Sequence, residues 1–262
     1  MVSGNNRYFA LTEAQVADLG LQAGELLRLS PPGSRHLRGL ALSDAAWRAL
    51  ARDGKRAYLF RPPDDDPSPA ARAYIDVGET LDVHRAYKCR VRAPWWRVPL
   101  VRPADLLLTY MNADTPRLCA NQARVHHLNS VHGVYLKRSV RATGTRLLPV
   151  GALNSLTLLG AEIVGRAYGG GMLKLEPREA DRLPVPTAGA LASHRSELDA
   201  IRPQVAAKLR QGRLLEAVRM VDEVLLVGAS GLSRANARVL RETHVELHAR
   251  RTARGADPRV AG

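Results

Sequence analysis

"GALNSLTLLGAEIVGRAYGGGMLKLEPREADRLPVP", residues 151–186, holds the features on which the fold turns. Leu153, Leu156, Leu159, Ile163 and Val164 recur at helical spacing, so 151–167 predicts a helix with one buried face that starts near Asn154 and Ser155. Gly169, Gly170 and Gly171 end it. Residues without a Cβ take positive φ freely and let another body come close. "MLKLEP" then reads as a short strand, closed by Pro184 and Pro186.

Outward from this block the C-terminal side is helical. Leu198, Ile201, Val205 and Leu209, then Leu214, Val218, Val221 and Leu225 across Gly212, predict a helical hairpin. "SRANARVLRETHVELHARRTARG" predicts a basic helix that frays into a tail. On the N-terminal side "NNRYFAL" (5–11) reads as a strand, and "TEAQVADLG" as a helix capped by Thr12 and stopped by Gly20. Helices are also expected from Ser43 to Gly54 and from Ala70 to about Val83, where Gly78 weakens the pattern, with a strand at "AYLFRP" and an exposed loop at "PPDDDPSP". From Tyr87 to about Leu148 the segments "YKCRVR", "WWRVPLV", "LLLTYM", "RLCAN", "GVYLK" and "RLLPV" are strand candidates, which predicts a mainly antiparallel β region.

At 262 residues the chain can bury a core without staples. Cys89 and Cys119 are its only cysteines and form no CxxC pair, which excludes a zinc ribbon and a disulfide framework. A net charge of +14 calls for a polyanionic partner. No apolar run approaches the roughly 20 residues of a membrane span and the N-terminus lacks a signal pattern, so the expected partner is nucleic acid in the cytoplasm. The charge is concentrated. Arg85, Lys88, Arg90, Arg92, Arg97, Arg102, Arg117, Arg124, Lys137, Arg138, Arg141 and Arg146, against Asp105 and Asp114, carry +10 of the net +14. Trp95, Trp96, Tyr110, Tyr135, Asn112, Asn121, Gln122, Asn129 and the histidines 126, 127 and 132 lie in the same stretch. Arginines, amides and aromatics are the groups that hold phosphates, read base edges and stack on bases.

Catalytic motifs fail one by one. The glycine triplet matches neither GxGxxG nor the phosphate loop ending in GKS or GKT. "HVELH" puts His244 and His248 on one helical face without the acid next to the first histidine that a metalloprotease helix needs. "HHLNSVH" has no carboxylate or cysteine beside it, and no serine sits in a GxSxG elbow. No catalytic residue, metal or bound cofactor is expected in this chain.

The run "KCRVRAPWWRVPLVRPADLLLTYMNADTPRLCANQARVHHLNSVHGVYL" and the run "LPVGALNSLTLLGAEIVGRAYGGGMLKLEPREADRLPVP", with the opening "SGNNRYFALT", resemble one family. It is the C-terminal target-recognition region of bacterial adenine-N6 DNA methyltransferases, of the TaqI-type and related Type IIG restriction-modification group. The resemblance covers roughly residues 3–187 and is most specific in the stretch from Arg92 to Arg97 and in the helix–glycine–strand block. The family's catalytic part has a Rossmann-like domain with a Gly-rich loop for S-adenosylmethionine and an Asn-Pro-Pro-Tyr motif for the flipped adenine. Neither is present here: "SPPG" and "RPPD" lack both the Asn and the aromatic. An adenine amino nitrogen is a poor nucleophile and must be held against the methyl donor. The resemblance therefore implies the recognition part of a methyltransferase whose catalytic subunit, with its S-adenosylmethionine, is on another chain or missing.

In such a domain the body approaching the glycines would be a DNA phosphate or a neighbouring strand, unless they serve only as a turn, and Lys174 would be a phosphate contact or a plain strand residue. Trp95 or Trp96 would anchor its loop while Arg92 and Arg97 face the duplex. Asn112, Asn121, Gln122, Asn129 and His132 would read bases, and Arg90, Trp95, Lys137 and Arg138 complete the expected DNA-binding set. The expected fold is α+β, with a small N-terminal α/β part (1–84), a β-rich DNA-recognition core with packed helices (85–187) and a helical C-terminal segment with a basic tail (188–262). The expected function is sequence-specific recognition of double-stranded DNA. Its alternatives are a complete S-adenosylmethionine-dependent methyltransferase with a degenerate site, and a non-enzymatic general nucleic-acid-binding protein.

Overall fold

Asn5 captures the start of the chain in a helix. Its side chain accepts from the backbone N–H groups of Arg7 (3.1 Å) and Tyr8 (3.2 Å), so Asn6–Phe9 (α1) is helical and only Ala10–Leu11 (β1) is extended. The strand expected over 5–11 is corrected by this cap, which outweighs a weak alternation. Thr12 then caps Glu13–Asp18 (α2) in a reciprocal box with Gln15, and Gly20 at φ +64° follows the helix, as expected. Leu26–Arg28 (β2) comes next, and Ser43 caps Asp44–Arg52 (α3). Tyr58–Phe60 (β3) is central to a small antiparallel sheet, with Leu59 opposite Ala10 of β1 and Leu27 of β2.

Ser68 caps Pro69–Thr80 (α4), which tolerates Gly78 for a packing reason. A Cβ there would lie 2.5 Å from Trp95 and 2.7 Å from Tyr8. "YKCRVR" is not a strand: Tyr87–Arg90 (α5) is helical, with Cys89 alone drawn fully inside. "WWRVPLV" forms no strand either and is anchored by buried Val98.

The computed structural model describes residues 1–63, 65–228 and 230–256, which divide into two compact units that interleave along the sequence. The elements so far belong to the first unit, made of residues 1–33, 42–104 and 121–133. Its core is formed by Phe9, Leu11, Leu29, Leu59, Phe60 and Leu128, all fully buried, and each stabilises the fold by about 1.5–3 kcal/mol.

The second unit takes residues 34–41, 105–120 and 134 onward. It holds Leu106–Thr109 (β4), Met111–Asn112 (β5) and Leu118–Ala120 (β6), with β4 and β6 antiparallel. Val131–Val134 (β7) leads the chain into it from the first unit. "RLLPV" is helical, within Arg141–Gly151 (α6), and Leu147 and Val150 are fully buried. A short apolar run cannot distinguish a strand from a buried helical turn.

Ser155–Val164 (α7) stands where the helical spacing places it, with the Asn154 side chain accepting from Thr157 N–H at 2.9 Å. Gly165 already ends this helix. The glycine triplet is instead the tip of a hairpin between Arg166–Tyr168 (β8) and Met172–Lys174 (β9), and β9 also pairs with β5. After Pro177–Ala180 (α8) and Ala188–Ser193 (α9), Arg195–Arg210 (α10) and Leu214–Asp222 (α11) form the expected helical hairpin across Gly212 at φ +72°. Arg234–Ala256 (α12) follows.

α12 is the body that the glycines admit. A Cβ on Gly171, at φ +69°, would lie 2.9 Å from Thr252 Cα, and Gly255 is in backbone contact with Gly171. Arg251, its side chain 5% exposed, forms a two-pronged ion pair with Glu162 of α7, both contacts at 2.9 Å, and donates to the carbonyls of Gly171 and Asp114. His244 is buried on the same helix. The basic helix expected here is present, and the tail expected after it falls on residues 257–262, outside the described residues. The glycines form the turn given as one reading of them, and the body against them is α12 instead of a DNA phosphate or a strand. The α+β class holds, with small antiparallel sheets among helices.

Candidate nucleic-acid interface

Two stretches of the first unit, 83–104 and 121–133, contain Arg85, Lys88, Arg90, Arg92, Arg97, Arg102 and Arg124 and no acidic residue. Val83, Cys89, Val98 and Ala104 are buried and fix the first stretch, leaving Lys88, Arg90, Arg97 and Arg102 exposed between them. Cys89 is fully buried as a packing group, and burial raises its thiol pKa against the opposing charge of Arg92.

The second stretch is clamped by Asn121. Its amide donates to the carbonyls of Ala104 and Val125, both at 2.9 Å, and accepts from Val125 N–H at 3.0 Å. His126 N–H donates to Arg28 and its carbonyl accepts from Ser30, both at 2.8 Å. At the tip, Ala123 is buried and donates to Leu42, so Gln122 and Arg124 stand exposed on either side of it. Arg124 adopts φ +50°, a left-handed conformation that costs a side-chain-bearing residue on the order of 1 kcal/mol.

Of the expected DNA-binding residues, Arg90, Arg97, Gln122 and Asn129 are exposed on this unit and His132 is half-buried. Three others are engaged in the fold. Arg92 donates to the carbonyls of Ser3 (2.8 Å) and Val2 (2.7 Å), fastening the N-terminal residues instead of facing a duplex. Asn121 is the clamp just described, too enclosed to read a base. Trp95 packs on Tyr8 and Phe9 with centroid separations of 5.6 and 6.1 Å, and its indole N–H donates to Glu79 at 3.1 Å, which makes it the loop anchor.

In the second unit Lys137 and Arg138 are exposed. Asn112 is 1% exposed and exchanges hydrogen bonds with Thr109, so it too is structural. Lys174 pairs with Glu176 at 2.6 Å and lies over the rings of Tyr110 and Tyr168. The bond to Glu176 raises its pKa to about 12, and its charge is already matched within the hairpin. Exposed Tyr87, Lys88, Arg102 and Arg124 are surface groups of these stretches missing from the expected set; neither a backbone angle nor an exposure is written in the local sequence.

His127 supports the clamped stretch from inside. It is buried beneath Gly133, its carbonyl accepts from the N-terminal ammonium at 3.2 Å, and burial pushes its pKa down to about 4. The folded unit thus favours the neutral ring. Its contribution is fully present above about pH 6.5, the ordinary histidine value, and is lost as pH falls toward 4. All three tryptophans, Trp47, Trp95 and Trp96, lie in the first unit, so their fluorescence reports this unfolding selectively. The urea midpoint of that signal is expected to drop between these pH values, and less steeply in His127→Gln; equal slopes would show that His127 does not carry the dependence.

The glycine triplet is filled by α12, so it is no cradle for S-adenosylmethionine. Among the described residues no group of histidine, cysteine and acidic side chains is placed to hold a metal. No single helix among them is long and apolar enough to cross a membrane.

The family resemblance holds: this is a methyltransferase C-terminal region. The chain belongs to the family of the C-terminal domain of the Type II methyltransferase M.Eco57I, whose model matches residues 1–226. It is 37% identical over 115 residues to the Type II methyltransferase M.XamI of Xanthomonas campestris pv. amaranthicola, covering 44% of this chain and 21% of that protein. To the Type II methyltransferase M.AccI of Acinetobacter calcoaceticus it is 21% identical over 183 residues, 70% of this chain and 34% of that protein. The matches thus span between a fifth and about a third of the length of these relatives.

Proposed function

We propose that this chain is the target-recognition part of an adenine-specific (N6) DNA methyltransferase, acting in the cytoplasm on double-stranded DNA. Methyl transfer from S-adenosylmethionine belongs to a catalytic domain outside these residues, which docks with this chain. The observation that carries the reading is the acid-free pair of stretches 83–104 and 121–133, with its exposed Lys88, Arg90, Arg97, Arg102 and Arg124. Such a surface neutralises phosphates and releases counterions, which supplies affinity that falls with salt. Gln122, Arg124 and Asn129, on a clamped loop, offer amide and guanidinium groups that suit bidentate contact with adenine and guanine edges.

The test is selection from a randomised duplex pool, followed by methylation of the selected duplex by the chain joined to its catalytic domain. One enriched sequence, methylated on adenine only when residues 1–262 are present, is the expected result. Equal affinity for every duplex, or preference for single-stranded RNA, would favour a general nucleic-acid-binding protein and overturn the proposal.

A further inference from the structure

The aromatic groups of the first unit are mostly drawn into its core: Tyr8, Phe9, Trp47 and Phe60 are all buried. Tyr87 is the exception at 63% exposed, on helix α5 near the start of the acid-free stretch 83–104. Two cations lie close to its ring, with the Lys88 ammonium 5.3 Å and the Arg90 guanidinium 5.4 Å from its centroid. Val91, also 63% exposed, follows one turn later. The platform beneath is rigid. Cys89 is fully buried between Lys88 and Arg90, Gly4 packs against it at φ +93°, and Arg92 is fastened to the carbonyls of Val2 and Ser3.

We infer that Tyr87 is a nucleobase-stacking residue. On DNA its ring lies against the face of a base at a partly opened step, Val91 fills the space beside it, and Lys88 and Arg90 move from the ring to the flanking phosphates. An exposed aromatic ring beside two cations combines the two interactions that hold a polynucleotide strand, stacking and charge neutralisation. Because α5 is fixed from below, little backbone order is lost on binding. The inference rests on the proposed DNA-binding function and adds to it the group that touches a base face.

The experiment uses the full chain and the duplex it enriches from a randomised pool, with a fluorescent adenine analogue placed at successive positions. Tyr87→Ala is expected to weaken binding by about tenfold to a hundredfold and to abolish the fluorescence change at one position, while Tyr87→Phe, which keeps the ring, stays near the parent in both. The double change Lys88→Gln with Arg90→Gln is expected to lower the slope of log affinity against log salt by ~2 and to keep the fluorescence change. Tryptophan fluorescence and thermal unfolding of Tyr87→Ala should match the parent, since the ring is on the surface. If the parent binds the duplex and Tyr87→Ala binds it equally well, the stacking role is overturned and the recognition reading stands. If the parent binds no duplex, both fall.

Discussion

Arg251→Ala is expected to cost the second unit about 3–5 kcal/mol, the range for removing one partner of a buried ion pair. The side chains of Arg251 and Glu162 are only 5% and 3% exposed, so truncation leaves the Glu162 carboxylate in the interior without its counter-charge. It also withdraws the donors to the Gly171 and Asp114 carbonyls. Far-ultraviolet circular dichroism during urea unfolding measures the loss, and tryptophan fluorescence, which reads the first unit, should hardly change. A cost under about 1 kcal/mol would show that α12 lies on the hairpin without fastening it.

The second large effect is functional. Replacing Lys88, Arg90, Arg97 and Arg124 together by glutamine is expected to flatten the salt dependence of duplex binding by ~3.6 in the slope of log affinity against log salt, ~0.9 for each phosphate no longer neutralised. At one salt concentration affinity should fall on the order of a thousandfold, at about 1 kcal/mol for each cation replaced. All four side chains are exposed, so the fold should survive. Equilibrium titrations at several salt concentrations give the slope directly. An unchanged slope would mean that the phosphates lie against another surface. The matching change of exposed Lys137 and Arg138, in the second unit, then becomes the informative one.

Local chemistry was readable in advance wherever cause and effect lie within a few residues. Thr12 caps its helix, helices start at Ser43 and at Asn154 where expected, and Gly212 turns the helical hairpin, whereas the Ser68 cap lay inside a stretch read as a loop. Asn5 was equally local, but a strand-like alternation obscured its cap. The runs "YKCRVR" and "RLLPV" were too short for periodicity to decide between strand and buried helix. The glycine triplet allows a turn or a close approach and here is both, and the approaching backbone, at Thr252 and Gly255, comes from far along the chain and leaves no trace beside Gly171.

The same distinction divides the candidate interface. Arg90, Arg97, Gln122 and Asn129 are exposed where charge and amide content suggested a surface. Arg92, Asn112 and Asn121 carry the same functional groups, but these meet backbone or side-chain partners inside the protein. An amide that could read adenine serves equally well to clamp a loop. Which use a given residue has depends on distant carbonyls, such as those of Ser3 and Ala104, and therefore on the fold.

The most direct measurement is amide hydrogen exchange of the full chain, read by mass spectrometry, with and without the duplex it enriches from a randomised pool. Protection concentrated in residues 83–104 and 121–133 is the expected result. Protection confined to the β8–β9 hairpin and α12, with those two stretches exchanging as in the free protein, would contradict the placement of DNA on them.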